Sequence, residues 1–90
     1  MLKNLEDLIK TIRDRKNFSR EKSYTSKLLN DKNLSVSKVK EEVAELIEAV
    51  EKNTNKIHES ADVIYHLLVY LEANDIKIED VMKELSKRKK

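Results

Sequence analysis

Residues 36–73 read VSKVKEEVAELIEAVEKNTNKIHESADVIYHLLVYLEA, and this stretch decides the fold class. In both halves apolar residues return every three or four positions, which is the spacing of one face of an α-helix. The polar run Asn53-Thr54-Asn55-Lys56 between the halves predicts a turn, because Asn is the best substitute for Gly where a helix ends in a left-handed residue. The stretch therefore predicts two helices joined by a short turn.

Further helical segments flank this hairpin on both sides. Leu5, Leu8, Ile9 and Ile12 share one helical face near the N-terminus, and a polar break at 17–22 follows them. A connector over 30–34 precedes the hairpin, and Asn74-Asp75 ends its second helix. The predicted helices are 2–16, 23–29 with Ser23 as its cap, about 36–52 with Ser35 or Ser37 as its cap, about 57–73, and about 78–87.

The composition excludes most other fold classes. The 90 residues contain no Gly and no Pro, although average usage is about 7% and 5%. Tight hairpin turns and phosphate-binding loops depend on the positive φ angles that Gly adopts, so a β-meander, a P-loop and a Rossmann fingerprint are all disfavoured. We expect one all-α domain over residues 1–90 with four to five helices. Because small domains bury a low fraction of their surface, we also expect association with a second copy.

Charge and hydropathy narrow the choice of partners. Nineteen basic and 17 acidic residues give a formal net charge of +2, and the one plainly basic run is at 87–90, whereas nucleic-acid-binding modules cluster basic residues on one face. The absence of Cys excludes a disulfide scaffold and a thiol nucleophile. No run approaches the 18–20 apolar residues of a membrane span, and the N-terminus lacks an apolar signal core. We expect a cytoplasmic protein that binds neither nucleic acid nor membrane.

The acidic residues of the hairpin lie on one face of each helix. If the two helices pack antiparallel, residues equidistant from the turn come level, so Glu45 pairs with Glu59 and Glu42 with Asp62. Four carboxylates in a partly buried groove repel one another and raise their own pKa values, which a hard divalent cation such as Mg²⁺ or Mn²⁺ relieves. Because these ions keep water and phosphate ligands, a phosphoanhydride bond is the natural substrate.

The competing interpretation is a solvated acidic surface on a non-catalytic helical adaptor. With 17 acids in 90 residues, four acids at prescribed positions arise by chance about once per chain. However, the acidic side of the second hairpin helix also carries Val69, Tyr70 and Ala73, and a merely solvated face should continue into polar residues. This placement makes a metal site as well supported as a solvated acidic surface.

Two acidic pairs carry a resemblance to a known family. Glu42-Val43-Ala44-Glu45, preceded by Glu41, and Glu59-Ser60-Ala61-Asp62 resemble the signature of the all-helical MazG-type nucleotide pyrophosphatases. Ser23-Tyr24-Thr25, Lys38-Val39 and Tyr65-His66-Leu67-Leu68-Val69, in this order, resemble the phosphoribosyl-ATP pyrophosphohydrolases of histidine biosynthesis, a branch of that superfamily. The chain departs from the family mainly at Gly and Pro positions.

The resemblance implies a MazG-like helical bundle completed by homodimerisation. It also implies hydrolysis of the α–β phosphoanhydride of phosphoribosyl-ATP to phosphoribosyl-AMP and pyrophosphate, the second step of histidine biosynthesis. A MazG-type hydrolase of ordinary or damaged deoxynucleoside triphosphates, which keeps the site and changes the substrate, stays as the nearest alternative. The family commonly has Gly where Lys40 stands. A small residue beside the acids lets a phosphate approach the backbone, whereas a lysine fills that space or neutralises the phosphate itself.

The resemblance assigns roles to individual residues. It implies that Mg²⁺, or Mn²⁺, is bound by Glu42, Glu45, Glu59 and Asp62. Either Glu41 or Glu45 then orients or deprotonates the attacking water. The candidate substrate contacts are Arg15, Lys16, Tyr24, Thr25, Lys27, Lys38 and His66. Structural alternatives stay open: Lys38 pairs with Glu42, His66 is a satisfied core residue, and Tyr24 and Thr25 anchor the short helix.

Overall fold

The computed structural model describes residues 2–17 and 23–89. Within these ranges the chain forms five helices: α1 Lys3–Arg15, α2 Tyr24–Leu29, α3 Lys32–Lys52, α4 Lys56–Ala73 and α5 Ile78–Lys87. The predicted all-α class is confirmed. No helix of the described part is long and apolar enough to cross a membrane. Most of the predicted polar break and the last residue of the basic run lie outside the described residues.

The start of α3 differs from the prediction. The Asp31 carboxylate accepts a hydrogen bond from the Leu34 backbone N–H at 3.1 Å and caps the helix there. The predicted connector over 30–34 and the predicted caps Ser35 and Ser37 were therefore wrong. Asp is as good a cap as Ser, and it stands one turn earlier in the chain. Ser35 lies inside the helix with 2% of its surface exposed.

The turns use Asn and Asp at the positions where Gly is usual. Asn53 and Asn55 have φ values of 56° and 38°, which confirms the predicted turn between α3 and α4. The Thr54 backbone N–H donates to the Ala49 carbonyl at 2.9 Å and closes the end of α3. Asp75, with φ 58°, follows α4 in the same way. Short polar side chains tolerate this left-handed conformation better than other non-Gly residues.

The helix α4 is the centre of the fold, because it packs against each of the other four helices. The buried apolar cluster joins its C-terminal half to α1 and α2. Fully burying one aliphatic side chain contributes roughly 1.5–3 kcal/mol, so this cluster is the main source of stability. Its members are Ile12, Leu28, Leu29, Leu68, Val69 and Ala73.

Several apolar residues of α3 and of the N-terminal half of α4 lie outside this core. Val43, Ile47 and Val50 on α3 are 39%, 54% and 58% exposed, and Ile57 on α4 is 88% exposed. On α3 the inward face is carried instead by Ser35, Glu42 and Ala49, which lie about 100° around the helix from Val43. Among the described residues, α1 and α2 cover one side of the central hairpin, because they pack on the side of α4 that carries Val69 and Ala73.

Candidate metal centre

Three carboxylates converge where the middle of α3 meets the first turn of α4. Glu42, Glu45 and Glu59 each place one carboxylate oxygen within 4.8 Å of the others. The antiparallel hairpin thus brings Glu45 level with Glu59, as the spacing from the turn predicted. Glu42 is 9% exposed and the Glu59 side chain 16% exposed, whereas Glu45 lies at the open edge. The three ligand-type oxygens therefore line a partly buried groove.

The electrostatics of this groove are unfavourable without a counter-charge. Burial, followed by the Glu45 carboxyl, raises the pKa of Glu42 above its usual range. The same two causes raise the pKa of Glu59. Oε2 of Glu42 and Oε2 of Glu59 are buried without a hydrogen-bond partner, and Glu45 supplies one only if the carboxyls share a proton. An unpartnered buried carboxylate oxygen is costly, so these residues fit a bound divalent cation.

Asp62 belongs to a second group that overlaps the first at Glu59. His58, Glu59 and Asp62 also place one ligand atom each within 4.8 Å of the others. Nε2 of His58 lies 3.3 Å from Oδ2 of Asp62 and 3.9 Å from Oε1 of Glu59. Sequence reasoning missed His58, although its spacing of four residues from Asp62 on a helix was a visible signal.

Glu41 and Lys38 pair with each other at the outer edge of the groove. Nζ of Lys38 lies 3.0 Å from Oε2 of Glu41, and this ion pair raises the pKa of Lys38. The partner of Lys38 is thus Glu41, three residues on, and not the Glu42 of the open alternative. Lys40 is exposed and lies about 160° around α3 from Glu42, so its side chain leaves the helix on the opposite side from the acids.

The helix α2 docks beside the acids through two polar contacts with α4. The Tyr24 hydroxyl lies 2.9 Å from Nε2 of His66, and the Thr25 hydroxyl contacts the Tyr65 hydroxyl. The Tyr65 and His66 rings meet edge to face at 4.9 Å. The predicted substrate contacts Tyr24, Thr25 and His66 therefore lie together, and each is engaged by another side chain. In the structure these side chains hold α2 against α4.

The hydrogen bonds of His66 fix its tautomer. Nδ1 lies 2.8 Å from the Asp62 backbone oxygen, and because a carbonyl only accepts, Nδ1 carries the hydrogen. In the neutral ring Nε2 then accepts from the Tyr24 hydroxyl. His66, 7% exposed, has no nitrogen left for a phosphate unless Tyr24 moves. The ring instead connects α2 to the backbone of Asp62.

The remaining basic candidates are distributed over two regions. The Arg15 backbone oxygen accepts from the Ser26 hydroxyl at 3.2 Å, which ties the end of α1 to α2, and Lys27 is exposed on α2. Lys16 lies 3.3 Å from Glu72 and forms an ion pair there. Because Glu72 is ten residues along α4 from Asp62, about 15 Å by the helical rise, Lys16 is held away from the acidic groove.

Comparisons with known proteins agree over almost the whole chain. Residues 5–89 match the family described as Phosphoribosyl-ATP pyrophosphohydrolase. A phosphoribosyl-ATP pyrophosphatase of Clostridium novyi is 46% identical, over 96% of this chain and 81% of that protein. One of Methanococcoides burtonii is 41% identical over 94% and 91%, and the bifunctional histidine biosynthesis protein of Pyrococcus furiosus is 45% identical over 100% of this chain and 42% of its own length. The matched range, residues 5–89, runs from within α1 to beyond the end of α5.

Proposed function

The chain belongs to the phosphoribosyl-ATP pyrophosphohydrolase family, and from this membership we propose that it hydrolyses phosphoribosyl-ATP in histidine biosynthesis. Water attacks the α–β phosphoanhydride, and the products are phosphoribosyl-AMP and pyrophosphate. The observation that carries the proposal is the family match over residues 5–89. Since the substrate is built on ATP, we place the reaction in the cytoplasm.

The four acids of the two E-x-x-E/D pairs would hold the metal. When bound there, Mg²⁺ neutralises the triphosphate, polarises the attacked phosphorus and stabilises the leaving pyrophosphate; Mn²⁺ can do the same. The buried, unpartnered oxygens of Glu42 and Glu59 support this role, because a cation removes the cost of their charge. The proposed ligands are Glu42, Glu45, Glu59 and Asp62.

Glu45 is the better candidate for handling the attacking water. A general base must lie within hydrogen-bond reach of the proton that it removes. Glu45 is exposed at the mouth of the groove and is a member of the carboxylate group. Glu41 is held 3.0 Å from Lys38, so its charge is already compensated. In this assignment Glu41 positions Lys38, and Glu45 orients the water.

The substrate would enter between the acids and α2. Tyr24 is 47% exposed, which leaves ring surface for stacking on the adenine base. Lys38 at the groove edge, with Arg15 and Lys27 near α2, supplies positive charge for the phosphates. Thr25 and His66 hold the α2 side of the site through their contacts with α4. A phosphate bound here replaces some of these internal hydrogen bonds.

We also propose that the working form is a homodimer that covers the exposed stripes of the hairpin. A contiguous apolar surface of this kind on a small chain usually marks an interface. The stripe contains Val43, Ile47, Val50, Ile57, Ile64 and Leu67. We expect sedimentation to give a dimer for the unmodified chain and a monomer for Ile47→Lys. Met82→Lys, which changes an exposed residue of α5, is the matched control and should stay dimeric.

Pyrophosphate release from purified protein tests the function directly. We expect magnesium-dependent release from phosphoribosyl-ATP, with deoxynucleoside triphosphates turned over at least about tenfold more slowly at equal concentration. Equal or faster turnover of deoxynucleoside triphosphates would assign the alternative MazG-type activity to the same site. No release from either substrate, with Mg²⁺ affinity unchanged in Glu42→Gln, would support the helical adaptor.

A further inference from the structure

A cavity of about 310 Å³ opens beside the acidic groove, between the last turns of α3 and the start of α4. Glu45 and Glu59 of the proposed metal centre line one end of it. Lys52, Thr54 and Asn55 line the end nearest the turn. Small-molecule sites usually have volumes of about 300–1,000 Å³. The cavity is therefore large enough for a small ligand that also reaches the metal centre.

The acids lie between this cavity and the helix α2. Tyr24 of α2 contacts His66, which is seven residues beyond Glu59 along α4, about 10 Å by the helical rise. Asn55, in the cavity wall, lies four residues before Glu59, about 6 Å in the opposite direction. A substrate that crosses the metal centre can therefore extend toward α2 on one side and into the cavity on the other.

The turn end of the cavity carries donors for an anion. Lys52 is exposed, and its Nζ lies 2.6 Å from Oε1 of Glu48. An exposed pair four residues apart on a helix stabilises little, so Lys52 can exchange Glu48 for a phosphate at low cost. Asn55 stands at the N-terminal cap of α4 but makes no side-chain capping hydrogen bond, so the helix does not use its amide.

We propose that this cavity, with Lys52 as its cationic residue, holds the β- and γ-phosphates of the substrate, which leave as pyrophosphate. The inference rests on the proposed function, because hydrolysis of the α–β bond splits the substrate into pyrophosphate and a nucleotide that keeps the α-phosphate. Lys38 at the groove edge and Lys27 on α2 are then contacts for the phosphates that stay with the nucleotide. The two products lie on opposite sides of the acids.

The reverse arrangement would point the triphosphate toward α2 and the base toward the turn. Of the described residues that line the cavity, none is aromatic, whereas Tyr24 offers ring surface on the α2 side. The cavity also carries the charges of Glu45, Glu48 and Glu59 beside that of Lys52, so a diphosphate is repelled unless a divalent cation is bound. We therefore expect pyrophosphate to bind with Mg²⁺ and not in EDTA.

An ordinary surface ion pair is the simpler explanation of Lys52. A lysine in the last turn of a helix is favourable beside the C-terminal carbonyls, and Glu48 compensates its charge. In that case breaking the pair from either side should have the same consequence. Lys52→Ala and Glu48→Gln both break the pair, but only Lys52→Ala also removes the proposed phosphate contact.

Calorimetric titration of the full chain with pyrophosphate in Mg²⁺ distinguishes the two explanations. We expect Lys52→Ala to weaken pyrophosphate binding at least about tenfold, the usual loss for one hydrogen bond to a charged group, and to change AMP binding less than about twofold. Glu48→Gln should keep pyrophosphate affinity within about twofold. Lys83→Ala, which removes an exposed lysine of α5 and matches the change in net charge, should do the same. Equal pyrophosphate affinity in Lys52→Ala and in either control would overturn the proposal.

Amide NMR of the full chain locates the ligand without a substitution. With Mg²⁺ present, we expect pyrophosphate to shift the backbone amide resonances of Lys52, Thr54 and Asn55, and AMP to shift those of α2. Turn resonances that stay in place at saturating pyrophosphate would contradict the assignment.

The two proposals fail in different ways. A protein that releases pyrophosphate from phosphoribosyl-ATP, but binds pyrophosphate equally well after Lys52→Ala, keeps the proposed function and loses the diphosphate site. A protein that binds pyrophosphate through Lys52, but hydrolyses deoxynucleoside triphosphates in place of phosphoribosyl-ATP, keeps the diphosphate site and loses the proposed function.

Discussion

Acidic groups of opposite electrostatic character lie at the two ends of α4. At the C-terminal end, basic side chains of α1 and of Lys16, which follows it, neutralise the acids: Arg13 lies 2.6 Å from Glu79 and 3.4 Å from Glu72, and Lys16 lies 3.1 Å from Asp75. The hydrogen bond from Arg13 lowers the pKa of Glu79 to about 2. These carboxylates are paired with basic side chains of the same chain.

At the N-terminal end of α4 the acids face each other. Burial and the neighbouring Glu45 raise the pKa values of Glu42 and Glu59, and both residues keep an unpartnered buried oxygen. Charged carboxylates thus stabilise the packing at the C-terminal end of α4 and destabilise it at the N-terminal end. Ion pairing indicates a structural role for the first group, and the two unpartnered buried oxygens are the reason why we propose the second group as a binding site.

The largest expected effect comes from Glu42→Gln at the uncompensated end. We expect pyrophosphate release to fall more than about 100-fold, because a proposed metal ligand is lost. In EDTA the unfolding temperature should rise, since the substitution removes one of several repelling charges. Kinetics and thermal unfolding measure the two changes. Glu48→Gln, an exposed acid of the same helix, should leave both unchanged, and loss of activity in this control would indicate a general surface effect.

Magnesium should stabilise the protein through the same residues. A ligand at 100 times its dissociation constant adds about 2.7 kcal/mol to the free energy of unfolding, if it binds only the folded state. We expect calorimetric melting to show a magnesium-dependent rise of this size in the unmodified chain and in Glu48→Gln. In Glu42→Gln the rise should be nearly absent. An equal rise in all three proteins would place the bound ion elsewhere.

The two ends should respond to pH in opposite directions. The pKa values of Glu42 and Glu59 are raised from 4.5, so in EDTA the free energy of unfolding should increase as the pH falls from 8 through these raised values. The pKa of Glu79 is lowered from 4.5 to about 2, so its contribution is present above pH 4.5 and lost as the pH falls toward 2.

Thermal unfolding across this pH range tests the difference. We expect a maximum between the two limbs in EDTA, and a flatter upper limb in Glu42→Gln or with saturating Mg²⁺. An upper limb that is the same in Glu42→Gln and in the unmodified chain would show that other groups cause it.

Glu72→Gln probes the compensated end with the same chemical change. Its carboxylate, 16% exposed, lies 3.4 Å from Arg13 and 3.3 Å from Lys16. We expect the free energy of unfolding to fall by roughly 1 kcal/mol, with activity at the opposite end retained. Urea denaturation and pyrophosphate release measure the two quantities. A stability gain here, as expected for Glu42→Gln, would contradict the distinction between the two ends.

The sequence predicted the site better than the packing around it. Local periodicity predicts the helical hairpin and its Asn turn. The distance of each residue from that turn predicts the pairing of Glu45 with Glu59. The spacing of acidic residues in the sequence does not distinguish the ion-paired acids at the C-terminal end of α4 from the unpaired acids at its N-terminal end. The distinction depends on Arg13, in α1, and on Lys16, directly after it, which are far from Glu72 in the chain.

The errors of prediction have physical causes. Asp31 and Ser35 are equally good helix caps, so composition could not choose between them. A helix wheel gives the faces of α3 but not the neighbour that covers each face, and Val43 and Ile47 are exposed where the wheel placed them on the apolar side. The contact of Tyr24 with His66 joins residues 42 apart, a separation that local patterns do not resolve.

The smallest effect is expected at the junction between the two ends, where Tyr24 contacts His66. Tyr24→Phe removes the hydroxyl 2.9 Å from Nε2 and leaves a buried acceptor without its donor, at a cost of about 1 kcal/mol. We expect KM for phosphoribosyl-ATP to rise by about fivefold with little change in kcat, because α2 positions the substrate and takes no part in the chemistry. Tyr65→Phe, which removes the partner of Thr25, is the matched control. If the two variants lower stability equally and only Tyr24→Phe raises KM, the contact between Tyr24 and His66 positions the substrate. If Tyr24→Phe lowers kcat instead, the Tyr24 hydroxyl acts on the reacting groups.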